Sequence, residues 1–169
     1  MDEKLNQSAV FFIIIFIIAR CSLYAENSTF YYNKGVESFK SGNYTEAEVN
    51  FKEAVKVNPS YTLGHYGLGR IYILKKGKAP DAIKHLKLSV SLDPGFVKGW
   101  FKLGLAELIS GKYLESLQSF KQAYERDKTF IEALYNMGVV YDLLGDDYTA
   151  FTYYRLYYRK AKGESDDFL

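Results

Sequence analysis

The chain is poor in the residues that form covalent cross-links. Its 169 residues include a single cysteine, Cys21, so no disulfide can form within the chain. If the N-terminal segment is removed after Ala25, the mature protein contains no cysteine at all. The stability of its folded state would then depend on packing alone.

Groups that commonly perform acid–base chemistry or bind metals are also scarce. The sequence has two histidines, His65 and His85, and they are not paired at a spacing that suits a metal ion. His65 falls where aromatic or apolar residues stand in related segments, so we expect it to be packed rather than catalytic. No glycine-rich phosphate loop is present. We therefore expect no enzyme activity, no catalytic residues, no cofactor and no metal.

The chain has little excess charge of either sign. Its formal net charge is +2, which argues against a dedicated nucleic-acid binder. Positive charge is nevertheless concentrated in residues 62–96, which contain six cationic and two acidic residues: Arg70, Lys75, Lys76, Lys78, Lys84, Lys87, Asp81 and Asp93. This local excess is either a solvated helix surface or a patch that attracts an acidic partner or anionic lipid headgroups.

A run of apolar residues marks the N-terminal segment. Residues 9–19 read AVFFIIIFIIA, 11 apolar residues in succession, whereas a membrane-spanning helix needs about 20. The run suits the core of an export signal cleaved after Ala25; otherwise residues 1–25 are an uncleaved membrane anchor. A third alternative is lipidation of Cys21, since the residues before it resemble a bacterial lipoprotein box, except for Arg20. We expect an exported protein in the bacterial periplasm or attached to a membrane through its N-terminus.

Glycines recur at a nearly constant spacing along the rest of the chain. Successive members of the set lie 34, 35 and 34 residues apart: Gly35, Gly69, Gly104 and Gly138. A period of this size is typical of helical repeat arrays, in which each unit contacts only its neighbours. Within each unit, two stretches of about 13 residues place apolar residues three and four apart, which predicts two amphipathic helices.

Turn residues separate the two predicted helices of each unit. The helix-breaking pairs are Gly42-Asn43, Gly77-Lys78, Gly111-Lys112 and Gly145-Asp146. Asn43 followed by Glu46 predicts a helix start with a capping box. The period glycines are predicted to let a neighbouring helix approach closely. Small residues are predicted to fill the facing position: Ala47, Ala82, Ser116 and Ala150.

The residues around these glycines resemble the tetratricopeptide repeat family. The third unit carries the resemblance best, with Trp100, Leu103, Gly104, Gly111, Tyr113, Phe120 and Ala123 at the family's spacings. The resemblance implies an all-α fold, an α-solenoid of about four helix-turn-helix repeats wound into a right-handed superhelix. The repeat domain is expected over residues 26–161, with repeats at 28–61, 62–96, 97–130 and 131–161, followed by an acidic tail at 162–169.

Four residues depart from the family's pattern. Lys34, Ser38 and Glu107 stand where that pattern has apolar or aromatic residues, and Lys128 stands where a proline is common. These departures make the ends of the array and one turn less regular, but they leave the predicted fold unchanged.

The resemblance also implies a binding surface, because the first helices of tetratricopeptide repeats line a concave groove. The positions that match the groove are Tyr32, Val36, Phe39, Tyr66, Arg70, Ile73, Lys98, Phe101, Leu105, Leu108, Tyr135 and Val139. A non-enzymatic scaffold that binds a peptide or helix of a protein partner is therefore expected. Packing within the repeats is the alternative explanation of the aromatic positions, and a carrier or sensor of a small hydrophobic ligand is the alternative function.

Some members of the family bind a C-terminal carboxylate through clustered lysines and asparagines in the groove. At the matching places this chain has Tyr32, Val36, Leu63 and Gly67, so that activity is not expected. Among the groove's polar residues only Asn33, Lys98 and Lys102 are of the types that such a site uses.

Aromatic residues crowd the last predicted helix, more of them than one face can bury. Tyr157 stands where small residues of the earlier repeats receive the following helix, so the array is expected to end here. Either the C-terminal tail folds back over these rings, or they form an oligomeric or partner contact through Tyr153 and Tyr157. A homo-oligomer assembled through this helix is a further alternative.

Overall fold

The computed structural model describes the backbone of residues 2–163 and the side chains of residues 10–16 and 26–163. This part of the chain is all-α, with eight helices and no strand. The helices are α1 (Asp2–Lys40), α2 (Tyr44–Val57), α3 (Thr62–Leu74), α4 (Ala79–Leu92), α5 (Val97–Ile109), α6 (Tyr113–Arg126), α7 (Glu132–Leu143) and α8 (Asp147–Ala161). We number the repeats one to four by successive helix pairs. The side chain of Cys21 and the tail beyond residue 163 lie outside the described residues.

The turns within the four helix pairs lie at the predicted breaker residues. Gly42, Gly77, Gly111 and Gly145 have φ values of 79°, 76°, 71° and 78°. A glycine adopts this left-handed conformation without the steric cost that a Cβ atom brings. The predicted turns are therefore confirmed, and the glycine at each of them has a local backbone reason.

The predicted helix start at Asn43 with Glu46 as its partner is also confirmed, with the return bond made to the Asn43 side-chain amide because the Asn43 backbone N–H donates to the Ser38 carbonyl. Asn43 Oδ1 accepts a hydrogen bond from the Glu46 backbone N–H at 3.2 Å, and Asn43 Nδ2 donates to Glu46 Oε2 at 2.8 Å. Asp146 caps α8 in the same way, since its Oδ1 accepts from the Thr149 N–H at 3.1 Å. Each cap satisfies a backbone donor that has no partner inside its helix.

The chain divides into two compact units, residues 1–67 and 68–169. In the first unit α1 packs on α2, and the ring of Phe51 is fully buried. A Cβ atom built on Gly35 or Gly67 would lie 2.6 Å from that ring. Glycine at both positions thus creates the space that Phe51 fills.

In the second unit, contacts link α4 with α5, α5 with α6, α6 with α7 and α7 with α8. One core cluster consists of Phe120, Ala123, Ala133, Leu134, Met137 and Val140. The glycines of repeats three and four lie against large rings of the second helices. A Cβ atom on Gly104 would lie 2.7 Å from the Phe120 ring, and one on Gly138 would lie 2.6 Å from the Tyr154 ring.

The small residues of the second helices are buried, and one of them contacts its period glycine as predicted: the Ser116 hydroxyl donates to the carbonyl oxygen of Gly104 at 2.8 Å. Ala47, Ala82, Ser116 and Ala150 are all buried. The space at each period glycine, however, is filled by the larger side chain one helical turn later: Phe51, Leu86, Phe120 and Tyr154. Because helical side chains lean toward the N-terminus of their helix, a residue covers the turn before its own Cα.

Helix α1 is 39 residues long and is continuous from the N-terminal segment into repeat one. The described apolar side chains of the segment, Val10 to Phe16, are all exposed. Within the described residues, none of the helices combines the length and the apolar character that crossing a bilayer requires.

Candidate functional site

The predicted groove residues of the second unit lie on the accessible side of the first helices. We call them the first-helix face: Arg70, Ile73, Lys98, Phe101, Leu105, Leu108, Tyr135 and Val139. All eight are half-buried or exposed. On the same helices Leu103, Ala106, Leu134 and Met137 are buried. Helices α5 and α7 therefore each have one side in the core and another side that a partner could touch.

Among the four predicted groove residues of the first unit, only Tyr66 differs in burial from those of the second unit. Tyr32, Val36 and Phe39 on α1 are half-buried. Tyr66, at the start of α3, is buried, with 8% of its surface exposed. Tyr66 therefore contributes less contact surface than Phe101 or Tyr135, which occupy the same register in repeats three and four.

The aromatic rings of this register pack within the protein. The ring centroid of Tyr32 lies 5.6 Å from that of Phe51, and the centroid of Phe101 lies 5.5 Å from that of Phe120. The Tyr135 centroid lies 5.4 Å from Tyr154 and 5.5 Å from Tyr157. At such distances aromatic pairs stabilise the fold. These rings thus have a structural role, and Tyr135, with 48% of its surface exposed, is the most accessible of the three.

The charge of Arg70, a residue of the first-helix face, acts on the ammonium group of Lys102, which follows Phe101 on α5. Burial lowers the pKa of the Lys102 ammonium, and the positive charge of Arg70 lowers it further. The Lys102 Nζ lies 5.7 Å from the centroid of the Phe101 ring. An anionic group bound beside Arg70 and Lys102 would relieve their repulsion.

Hydrogen bonds fix the rings of His65 in repeat two and Trp100 in repeat three, which lie near the start of the first helix of each repeat. His65 is buried, and its Nε2 donates to the carbonyl oxygen of Pro59 at 2.8 Å. Trp100, at the equivalent position, donates from Nε1 to the carbonyl oxygen of Pro94 at 2.9 Å. The predicted packing role of His65 is therefore confirmed. Among the described residues, no three His, Cys, Asp or Glu side chains gather in a way that suits a metal.

The aromatic residues of α8 divide between two sides of the helix. Tyr153 stacks on Tyr141 with centroids 5.4 Å apart, and Tyr157 lies against Tyr135. Burial raises the pKa of the Tyr153 phenol. Phe151 and Tyr158, in contrast, are 63% and 56% exposed. Phe151 and Tyr158 thus add exposed contact surface to α8, and the contact through Tyr153 and Tyr157 stays a prediction.

Comparison with known proteins identifies the family. Models of the tetratricopeptide repeat match residues 28–61 and residues 97–130. The chain is a tetratricopeptide repeat protein. It is similar to Hsp70-Hsp90 organizing protein 1 of Glycine max, with 30% identity over 101 residues that make up 60% of this chain and 18% of that relative. This tetratricopeptide protein thus spans less than a fifth of the length of that relative.

Solved structures show the same helical-repeat fold. A crystal structure of MamA protein shares 26% identity with the tetratricopeptide chain, with a TM-score of 0.71 over 79% of this chain and 72% of that one. The first tetratricopeptide domain of Spaghetti (RPAP3), bound to the HSP90 peptide SRMEEVD, has 21% identity and a TM-score of 0.68. That match covers 71% of this chain and 94% of the domain. At this identity the likeness shows the fold alone.

Proposed function

We propose that the chain is a non-enzymatic scaffold that binds an acidic peptide or helix of a protein partner on the first-helix face of its second unit. The observation that supports this most is the combination of partly exposed apolar residues with close cations. Phe101 and Leu105 offer apolar contact surface, and Arg70 with Lys102 offers a site for a carboxylate.

The charge distribution of the second unit favours an acidic partner over a basic one. Residues 62–96 carry six cationic and two acidic residues, and a field of one sign accelerates encounter with ligands of opposite charge. The solved RPAP3 domain is bound to a peptide, SRMEEVD, that contains three acidic residues. We take the chemistry of that ligand as a guide to the class of partner.

The specific recognition of chaperone tails is not part of the proposal. The positions of repeats one and two that would hold a terminal carboxylate are occupied by Tyr32, Val36, Leu63 and Gly67. None of these side chains carries a charge or an amide. We expect internal acidic residues of a partner, rather than a free C-terminus, to contact Arg70 and Lys102.

The proposal can be tested by peptide selection. The full chain is immobilised, and peptides that bind it are selected from a display library of short random sequences. We expect enrichment of sequences that combine acidic with bulky apolar residues, and binding that weakens with added salt because the charges are partly exposed. The Arg70→Glu/Lys102→Glu variant should lose these ligands. Lys76→Glu/Lys112→Glu makes the same change in net charge at exposed positions away from the face and should retain them. Equal loss in both variants, or selection of basic peptides, contradicts the proposal.

A second candidate function is self-association through α8. Phe151 and Tyr158 border a surface cavity of about 560 Å³ that is also lined by Tyr135, Tyr154, Arg155 and Tyr157. A second copy of α8 would cover these apolar groups. We expect the sedimentation coefficient to depend on protein concentration, and we expect Phe151→Ser/Tyr158→Ser to lose that dependence. A native chain that is monomeric at every concentration rules this function out.

We also propose that residues 1–25 direct export or attach the protein to a membrane. The exposed apolar side chains from Val10 to Phe16 need either removal or a cover, because proteins rarely leave contiguous apolar surface in water. N-terminal sequencing of the protein from its native source distinguishes the alternatives. A first residue of Glu26 indicates a cleaved export signal, an acylated Cys21 indicates a lipoprotein, and an intact Met1 in a membrane fraction indicates an anchor. An intact chain in the soluble fraction contradicts the proposal.

A further inference from the structure

One register of the repeat brings a residue of the first helix against a residue of the second. In repeat two this pair is Tyr72 and His85, whose ring centroids lie 5.6 Å apart. In repeat four it is Tyr141 and Tyr153, stacked with centroids 5.4 Å apart and planes inclined by 10°. Both pairs fill the space between their helices with aromatic rings.

Repeat three has no ring at this register. The first-helix residue is Glu107 and the second-helix residue is Ser119, and the Ser119 hydroxyl donates to Glu107 Oε2 at 2.6 Å. A carboxylate and a hydroxyl occupy far less volume than two rings. The departure of Glu107 from the family pattern therefore removes bulk from the packing between α5 and α6.

A cleft of about 720 Å³ lies at this place, between α4, α5 and α6. Its walls are mostly apolar and include Val90, Pro94, Trp100, Leu103 and Leu114, while Glu107 and Ser119 are among its polar groups. Sites for small organic ligands typically have volumes of about 300 to 1,000 Å³, apolar walls and a few placed polar groups. We call this space the Glu107 cleft.

We propose that the Glu107 cleft binds a small apolar molecule whose head group donates a hydrogen bond to the Glu107 carboxyl group. An ammonium head is favoured over a hydroxyl head, and a carboxylate head is disfavoured. The site is separate from the first-helix face, because Trp100, Leu103 and Glu107 lie on a different side of α5 from Phe101, Leu105 and Leu108.

The hydrogen bonding of Glu107 is the reason for a donor head group. The residue is only 2% exposed, and its Oε2 accepts the Ser119 bond. Its Oε1 lies 3.9 Å from Lys87 Nζ, beyond hydrogen-bond distance. A carboxylate offers about four acceptor sites, so the buried group retains capacity to accept from a ligand.

The two carboxyl groups of the lining, Glu107 and Glu115, favour a cationic head group over an anionic one. Burial raises the pKa of the Glu107 carboxyl, and the Ser119 hydrogen bond and the Lys87 charge oppose the rise only in part. Glu115 is a second acidic group in the lining. Three cations oppose this preference: Lys87, whose side chain is 58% exposed and can turn to solvent, Lys112, whose charge also lowers the pKa of Glu107, and Arg126, which lies over the Trp100 ring. A carboxylate head would face both glutamates.

Trp100 is the only tryptophan of the chain and lines the cleft, so its fluorescence reports occupancy. We would titrate the full chain at neutral pH with octylamine, octanol and octanoate, which share an apolar body, and obtain Kd values by calorimetry. The expected result is a saturable fluorescence change with octylamine, weaker binding of octanol, and binding of octanoate that is weaker than that of octylamine by about tenfold or more.

Two variants and a control make the test specific. Glu107→Gln keeps the shape of the side chain, and octylamine should lose its advantage over octanol. Ser119→Tyr retains Glu107 and places a ring in the cleft, so all three compounds should lose binding even if the first variant fails to fold. Glu125→Gln, at an exposed position of α6 outside the lining, should behave as the native chain.

Three outcomes would overturn the proposal. The first is that no compound gives a saturable change. The second is that octanoate binds as tightly as octylamine, which would assign recognition to Lys87. The third is that the preference for octylamine survives in Glu107→Gln or that binding survives in Ser119→Tyr.

Discussion

Repeats three and four of the second unit share one packing device and differ in another. In both, a glycine of the first helix accommodates a large ring of the second: Gly104 with Phe120 and Gly138 with Tyr154. At the neighbouring register, repeat four has the stacked rings of Tyr141 and Tyr153, whereas repeat three has the Glu107–Ser119 hydrogen bond and an open cleft. The glycine contact defines the helix pair, and the second register can change without loss of the pair.

The largest expected effect comes from breaking the feature that both repeats share. Gly104→Val and Gly138→Val would each force a branched side chain into a ring only 2.7 or 2.6 Å from the Cβ position. We expect a loss of about 3 kcal/mol or more in the free energy of unfolding, measured by urea denaturation. Gly111→Ala is the control, because no atom lies within 4 Å of the Cβ position at Gly111. Only the φ of 71° at Gly111 is unfavourable for alanine, and it should lower the free energy of unfolding by about 1 to 2 kcal/mol. Equal losses at Gly104 and Gly111 would be inconsistent with a close-contact role.

The next prediction exchanges the differing pairs between the two repeats. Tyr141→Glu/Tyr153→Ser in repeat four removes a stacked ring pair and should lower the free energy of unfolding by about 3 kcal/mol. The reverse change, Glu107→Tyr/Ser119→Tyr in repeat three, should raise it by about 1 kcal/mol, because it fills the cleft with a ring pair and removes a buried carboxylate. Urea denaturation of both variants checks the prediction, and a repeat four that tolerates the exchange without loss would contradict it.

A smaller effect is expected in the pH dependence of stability. Since the pKa of Glu107 is raised in the folded state, the folded state binds this proton more tightly than the unfolded state does. The contribution of Glu107 to stability is therefore most favourable in acid and is lost as pH rises from the ordinary glutamate pKa through the raised value. The glutamine side chain of Glu107→Gln does not titrate. The free energy of unfolding of this variant minus that of the native chain should therefore increase between acidic and neutral pH.

Ser119→Ala is the matched variant for this pH dependence. It removes the hydrogen bond that lowers the pKa of Glu107 and keeps the charge, so stability should fall more steeply with rising pH than in the native chain. Denaturation curves at a series of pH values provide the comparison. A difference between Glu107→Gln and the native chain that stays constant with pH would show that Glu107 does not titrate abnormally.

The smallest expected effect concerns the start of the first helix. Trp100 donates to the carbonyl of Pro94, whereas repeat four has Leu134 at this position and therefore no side-chain donor. Trp100→Phe retains an aromatic ring and should lower the free energy of unfolding by about 1 kcal/mol. His65→Phe should cost a similar amount, since it removes the bond to Pro59. Unchanged thermal stability in both variants would show that these bonds contribute nothing.

The sequence predicted the helix pairs, their turns and the α2 cap because each has a local cause. A glycine with positive φ, such as Gly42 or Gly111, and an asparagine before a helix start are recognisable within a few residues. The larger side chain that fills the space at each period glycine was missed, because a helical side chain leans over the preceding turn. That lean carries Phe120 and Tyr154 onto the Cβ positions of the facing glycines.

The parts of the site that depend on three-dimensional packing could not be predicted in the same way. In an aromatic-rich helix such as α8, periodicity does not tell which rings pack on neighbouring helices, and Tyr153 is half-buried and stacked on Tyr141 while Phe151 is exposed. Glu107 was recognised as a departure from the family pattern. The side chains of α4 and α6 together determine whether the space beside Glu107 is filled or open, and their arrangement cannot be read from the sequence. The partner-binding role of the first-helix face stays a prediction.

The most direct test of the scaffold claim compares photocrosslinks from two adjacent positions of α5. A photoreactive phenylalanine analogue replaces Phe101, on the first-helix face, or Trp100, in the Glu107 cleft, and the full chain is irradiated in its native source. We expect protein adducts from position 101, joined through an acidic segment of the partner that mass spectrometry identifies, and none from position 100. Adducts with the same proteins from position 100 and none from 101 would contradict the claim.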